Sequence, residues 1–236
     1  MLAFDIGGTG LKASVVDTHG QLLAPRQRID TPYPCPPPVM LKALATLVTP
    51  LPKYNRIAIG FPGVVRNDEI VTAPHFGTKD WAGFALAKAA SERFGAPARM
   101  VNDAEMQGLA VIRGKGLELV LTLGTGAGTG LFRDGELMPH LELAQHPIYG
   151  KKKTYNDYIG DAALGKVGKK HWNKRVERTI AILTDLLHFD HLFIGGGNAS
   201  KLDLDPSPMI TIVSNDAGIE GGAALWRLRA DQYRWG

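Results

Sequence analysis

Cysteine is almost missing: Cys35 is the only one among 236 residues. A single thiol closes no disulfide within the chain and supplies no Cys-rich zinc motif. That excludes the stapled scaffolds of small secreted domains and makes a cytoplasmic setting the expectation. Long apolar runs are missing too. None approaches the roughly 20 residues that a membrane helix needs, and no basic stretch precedes the first strand as it would in a secretory signal. No membrane partner is expected. What is present is ordinary for a globular protein, with 44% hydrophobic and 21% charged residues. The length allows one large or two small domains with a substantial core.

The stretch Leu2–Asp17 organises the rest. Apolar residues lead to Asp5, then come Gly7, Gly8, Thr9 and Gly10, and a second β-prone run follows from Ala13 to Val16. This predicts a hairpin with a turn bare of side chains, where backbone N–H groups can approach an anion. Thr9 adds a hydroxyl donor, and Asp5 can hold a divalent cation. Alone, the pattern is equally that of a glycine-rich β-turn. Its weight comes from a second copy: Leu117–Leu123 feeds Gly124-Thr125-Gly126-Ala127-Gly128-Thr129-Gly130, after which Leu131 and Phe132 resume a strand. Two such hairpins predict an internal duplication with a phosphate held between the halves.

The remaining pattern fits that picture. Gln21–Ile29 reads as a third strand, the proline-rich stretch 31–38 as a loop, and Val39–Val48 as a helix. Arg56–Gly60 is a short buried strand, 64–72 a small hairpin turning at Asn67-Asp68, and Trp81–Phe94 a helix ended by Gly95. Arg99–Val101 is a strand and Ala104–Ile112 a helix; helices follow at Tyr158–Leu164 and Lys174–Leu187. His191–Ile194 and Met209–Val213 are strands, and Ala217–Leu228 is the last helix. The repeated order predicts an α/β protein of two similar domains. The first comprises 1–103, with a C-terminal helix at about 217–236 packing back on it, and the second 104–216.

Asn102-Asp103 lies where a predicted strand gives way to a helix, the place at which open α/β sheets put their sites. A carboxylate there can take the proton of a substrate hydroxyl, and the amide can orient that hydroxyl. Both residue types also serve as helix caps. Given two phosphate turns, a base is what phosphoryl transfer to an alcohol requires.

Asp5–Lys12, Gly60–Val64, Asn102-Asp103, Leu123–Gly130 and Gly195–Gly197 resemble, in order and spacing, the ROK family of bacterial sugar kinases, in its branch of short polyphosphate or ATP glucokinases. The resemblance implies an actin-like ATPase (ribonuclease H-like) fold, with two similar domains around a central cleft that closes on sugar. It implies Asp103 as the general base for a hexose 6-hydroxyl and Asn102 as the amide on its neighbour. It implies Asp5 beside Mg²⁺; Gly7, Gly8, Thr9, Gly10 and Lys12, with Gly124, Thr125 and Gly126, at the phosphates; and Gly196 and Gly197 beside an adenosine. Pro62 and Gly63 line the sugar pocket, and Glu142 accepts hydrogen bonds from the sugar. ATP or inorganic polyphosphate is the implied donor, and a homodimer the implied assembly. The chain opens on the first phosphate motif, so no DNA partner is expected.

The chain departs from the family pattern just after Glu142. Where relatives continue Glu-x-x-His, it reads Glu142-Leu143-Ala144-Gln145 with His146 one place late, and Pro147 stands where a second glutamate often follows. Gln145 and His146 thereby become the candidate contacts to the anomeric end of the sugar, with glucose the first expectation. His75 stands where relatives commonly have Asn, and no structural zinc is expected.

Charge bears on the donor. The chain carries a formal +4, and Lys151, Lys152, Lys153, Lys166, Lys169, Lys170, Lys174, Arg175 and Arg178 crowd one stretch. Such a cluster attracts a polyanion or is a solvated helix face; the triple glycine at 195–197 favours ATP. A non-catalytic sugar or nucleotide sensor derived from a ROK kinase is the rival reading. Trp226, Tyr233 and Trp235 would either form a dimer interface or cap their own core.

Overall fold

A computed structural model describes residues 1–150, 153–214 and 217–233. Lys151, Lys152 and Trp235, named above, lie outside the described residues. The chain divides into two compact units: Met1–Val111 with Leu137–His140 and Asp216–Gly236, and Ile112–Glu136 with Leu141–Asn215.

In the first unit β1 (Leu2–Ile6) and β2 (Gly10–Val15) form the expected hairpin, with Asp5 opposite Lys12. β3 (Gln27–Asp30) continues the meander. It is shorter than the sequence pattern suggested: Pro25 cannot donate to a ladder, and before it only a bridge between Val16 and Leu22 forms. Then come α1 (Pro37–Val48), β4 (Ile57–Phe61), the hairpin β5 (Val65–Arg66) and β6 (Glu69–Ile70), α2 (Thr78–Trp81), α3 (Leu86–Phe94), β7 (Ala98–Asn102) and α4 (Asp103–Val111). α1 starts two residues earlier than expected because prolines suit the first helical positions, whose amides need no partner. One predicted helix over 81–94 is two, since Gly83 adopts φ 78° between them.

The sheet order is β3-β2-β1-β4-β7, with β4 parallel to both β1 and β7. Its two faces follow the period-2 alternation of strands. Leu2, Phe4, Ile6, Ile57 and Ile59 enter a core with Met40, Leu44, Leu86 and Ala90. Ala3 faces the opposite way.

The second unit repeats the plan. β8 (Leu117–Leu123) and β9 (Ala127–Arg133) are the hairpin, followed by β10 (Glu136–Leu137), β11 (Pro147–Tyr149), β12 (Lys153–Thr154), α5 (Tyr155–Ile159), α6 (Asp161–Leu187), β13 (His191–Gly195) and β14 (Ile210–Ile212). The order β10-β9-β8-β13-β14 mirrors that of the first sheet, and β13 is parallel to β8 and β14. α5 is set by a capping box in which Thr154 and Asp157 satisfy each other's backbone N–H. α6 runs through both helices expected from the sequence, broken at Gly168 (φ 75°, ψ 160°). Trp172 is fully buried and donates to the Ile159 carbonyl, which fixes α6 against α5.

The chain then returns to the first unit as α7 (Ala217–Leu225) and the short α8 (Ala230–Tyr233). α7 is almost entirely Gly, Ala, Ile and Leu, and it lies on Ala3 and Ala58 of the sheet. A Cβ on Gly221 would overlap the Met106 carbonyl, so the α4–α7 crossing requires glycine there. Trp226 donates to the Ile57 carbonyl, and the Arg99 guanidinium lies 4.4 Å from the Trp226 ring and 4.6 Å from that of Tyr233. These two aromatics hold the chain end to its own unit. Among the described residues no helix is long and apolar enough to cross a membrane.

Candidate active site

The first glycine turn closes with Gly7 N–H donating to the Gly10 carbonyl at 3.0 Å. The proline-rich loop braces it from outside: Thr31 Oγ1 donates to the Gly7 carbonyl at 2.7 Å and Tyr33 Oη to that of Gly8 at 2.6 Å. With both carbonyls so occupied, the turn is held in one shape. The Arg28 guanidinium lies 3.1 Å from where a Cβ on Gly10 would stand, and the His75 ring 3.2 Å from that on Gly8. Thr9 is exposed. The turn therefore carries an exposed hydroxyl, with the Arg28 guanidinium of β3, paired with Asp30 Oδ1 at 3.0 Å, beside it.

Asp5, the penultimate residue of β1, lies beside this turn. Its Oδ2 accepts from Lys12 Nζ at 2.9 Å across the hairpin, both side chains being under one-fifth exposed. Gly218, at the start of α7, lies over the carboxylate; a Cβ there would be 3.1 Å from Oδ2. Among the described residues no three or more His, Cys, Asp or Glu side chains cluster as a metal site. One carboxylate beside a glycine turn still fits Mg²⁺, which keeps several waters and takes one or two carboxylates together with substrate phosphates.

Asn102 and Asp103 occupy the junction of β7 and α4. Asn102 is buried, and its amide donates to the Gly63 carbonyl at 3.1 Å while its Oδ1 accepts from Ala104 N–H at 2.8 Å. It is thus both the helix cap and the tie to the Pro62-Gly63 turn. Asp103 Oδ1 also accepts from Ala104 N–H, at 2.9 Å. This carboxylate is partly exposed at the N-terminus of α4. Behind it lies Glu105, fully buried, which accepts from Asn102 N–H at 3.0 Å and meets His140 Nδ1 at 2.7 Å. Glu105 was not singled out from the sequence, although Asn102-x-x-Glu105 is a capping-box spacing.

In the second unit, Gly124 N–H donates to the Gly126 carbonyl at 3.0 Å, and the Gly124 carbonyl accepts from Asp161 N–H at 2.9 Å. Thr125 is exposed. Asn156 Oδ1 accepts from Ala127 N–H at 2.8 Å, next to the Cα of Gly126, where a Cβ would not fit. Gly196 adopts φ 86° and packs on the backbone of Leu123. The next polar side chain, Asn198, is buried and bonds the Gly124 carbonyl, Asp161 Oδ1 and Lys201 Nζ. The 195–197 loop and the second glycine turn are therefore one assembly, with Gly197 open to space beside it. Asn156 and Asn198 went unassigned in the sequence; only the second, directly after the triple glycine, carried a signal.

Glu142, Gln145 and His146 also belong to the second unit. Glu142 Oε1 accepts from Ala144 N–H at 3.0 Å, which fixes the start of that loop. Gln145 and His146 are exposed, and the His146 ring lies 6.3 Å from that of Tyr155.

Comparison with known proteins gives this geometry a setting. Residues 1–139 match the model of the ROK family. The polyphosphate glucokinase of Mycobacterium tuberculosis is 30% identical over 93% of this chain and 88% of its own. That of Mycobacterium leprae is 30% identical over 93% of this chain and 72% of its own. Among solved structures, the inorganic polyphosphate/ATP-glucomannokinase of Arthrobacter sp. strain KM superposes with a TM-score of 0.85 at 27% identity, covering 97% of this chain and 99% of that one. A ROK family glucokinase from Streptomyces griseus, solved with glucose and AMPPNP, gives a TM-score of 0.78 at 19% identity, over 95% of this chain and 99% of that one, a likeness of fold.

Proposed function

The chain belongs to the ROK family, and on that premise we propose that it is a sugar kinase of the glucokinase type, transferring a phosphoryl group from polyphosphate or ATP to the 6-hydroxyl of a hexose, with glucose the first candidate. The observation that carries this reading is the junction of β7 and α4. Asp103 there presents a carboxylate at a helix N-terminus, while Asn102 and Glu105 fix the backbone around it.

The chemistry assigned to these residues is direct. Asp103 accepts the proton of the sugar hydroxyl as its oxygen attacks the terminal phosphorus. The new O–P bond forms as the bond to the donor's bridging oxygen breaks, and that oxygen leaves with the electron pair. Asn102 orients the acceptor sugar, and Pro62-Gly63 forms the wall tied to it. The two glycine turns offer backbone N–H groups, and Thr9 and Thr125 hydroxyls, to the phosphates. Gly196 and Gly197 shape the place of an adenosine. Asp5 would hold Mg²⁺, which neutralises charge on the phosphates. Glu142 and Gln145 bind sugar hydroxyls; Gln145 does so without charge.

The test is a panel of hexoses with Mg²⁺, each offered ATP and then polyphosphate, with product identified by mass and position of the phosphate. Glucose 6-phosphate from either donor supports the reading. Nucleotide and sugar binding without any sugar phosphate, from any hexose, would replace it with a non-catalytic sensor.

A further inference from the structure

The longest helix carries a basic groove that the transfer chemistry does not use. Between residues 166 and 178 there are six lysines and arginines and one glutamate. His171, Lys174, Arg175 and Arg178 stand at i, i+3, i+4 and i+7, so they share one face of α6. With Tyr158 and Val167 they line an open groove of about 610 Å³. The groove has a built wall: Arg175 donates to the Tyr158 carbonyl at 3.3 Å, and its guanidinium lies 4.9 Å from the Tyr158 ring. Neither Lys174 nor Arg175 forms an ion pair with a carboxylate among the described residues.

The groove is joined to the second glycine turn through α5. Asn156 bonds Ala127 N–H beside that turn, and Tyr158, two residues on, forms the groove wall. Both belong to the same unit. We propose that this groove is an anchoring site for inorganic polyphosphate, holding a part of the chain remote from the phosphoryl group that is transferred. The proposal rests on the kinase reading for its choice of ligand. A row of cations on one helix face fits a linear chain of phosphates, each unit bearing charge, whereas a nucleoside triphosphate ends after three. Nucleic acid is the poorer fit, because single strands need aromatic faces for their bases. Tyr158, the only Phe, Tyr or Trp that lines the groove, is already covered by Arg175.

The test is the double variant Lys174→Ala with Arg178→Ala, which leaves Arg175 in place on Tyr158. Its KM for long-chain polyphosphate rises roughly five- to tenfold, the scale expected for removing two exposed cation contacts. Its kcat and its KM for ATP and for tripolyphosphate stay at the wild-type values. Direct binding of long-chain polyphosphate, followed by calorimetry, weakens by the same factor and loses part of its salt dependence. An unchanged polyphosphate KM, or an ATP KM that rises in step with it, overturns the proposal. If the wild type phosphorylates no sugar, the kinase reading fails, and calorimetry still decides the groove: equal polyphosphate affinity in both proteins overturns it. Preferential displacement of polyphosphate by single-stranded DNA would overturn it in favour of a nucleic-acid site.

Discussion

His140 Nδ1 and Glu105 Oε1 meet at 2.7 Å, and the second oxygen of Glu105 accepts from the backbone N–H of Asn102. The carboxylate is completely buried and the imidazole side chain is 5% exposed. One buried acid thus joins the chain at 137–140 to the backbone that sets Asp103.

Glu105→Ala should therefore destabilise the fold, because a buried N–H and a buried ring lose their acceptor at about 1 to 3 kcal/mol each. That corresponds to a fall in melting temperature of about 2 to 4 °C per kcal/mol for a chain of this size. Glu105→Gln keeps an acceptor for Asn102 and should lose less. Thermal unfolding of the two variants checks the order; equal losses would mean that the cap contributes nothing.

The fold was legible to the extent that it rests on glycine turns and buried strands. Both hairpins, the parallel strands β4, β7 and β13, and the helix α7 follow from residue pattern alone. The errors have local causes. Pro25 delays β3 and Gly83 divides one helix, whereas the two later helices are separated, as expected, by a break, which falls at Gly168 (φ 75°, ψ 160°). The candidate site was legible where its residues are contiguous in the chain. Asn156, Asn198 and His140 act across 29 to 74 residues of sequence, and no spacing announces such contacts.

Gly196→Ala should impair the second glycine turn. The residue has φ 86°, and a Cβ there would overlap the Leu123 backbone, its amide nitrogen at 2.7 Å. A strained left-handed residue costs on the order of 1 to 3 kcal/mol. We expect lower stability together with weaker ATP binding, since Asn198 ties this loop to Gly124. Wild-type nucleotide affinity in a folded variant would separate the loop from the nucleotide site.

His191 predicts a pH dependence. Burial, chiefly, and then the Arg113 guanidinium hold its pKa below the usual histidine value, against an opposing pull from Glu118. The unfolded chain then binds more protons than the folded one below the ordinary pKa of about 6.5. Stability should be complete above that pH and fall as pH drops through it towards the folded value. His191→Gln, which can still bond Thr211, should flatten the dependence of melting temperature between about pH 7 and 5. An unchanged slope would assign it to other groups.

Cys35 should be an unreactive thiol. It is buried, and burial pushes its pKa up to about 11. The thiolate is the nucleophile, so a disulfide reagent at neutral pH should label it only upon unfolding. The folded state also keeps this proton where the unfolded chain would lose it, so stability should decline as pH rises above the unfolded value of about 8.5. Rapid labelling of the native protein would contradict the burial.

The central claim is that Asp103 takes the sugar proton, and the most direct measurement compares Asp103→Asn with the wild type for sugar-phosphate formation and for sugar binding by calorimetry. The account predicts that turnover falls by at least about a hundredfold, the scale of a lost general base, while sugar affinity changes little. A variant that retains a tenth of the wild-type rate, with sugar bound normally, would contradict it and remove Asp103 from the role of base.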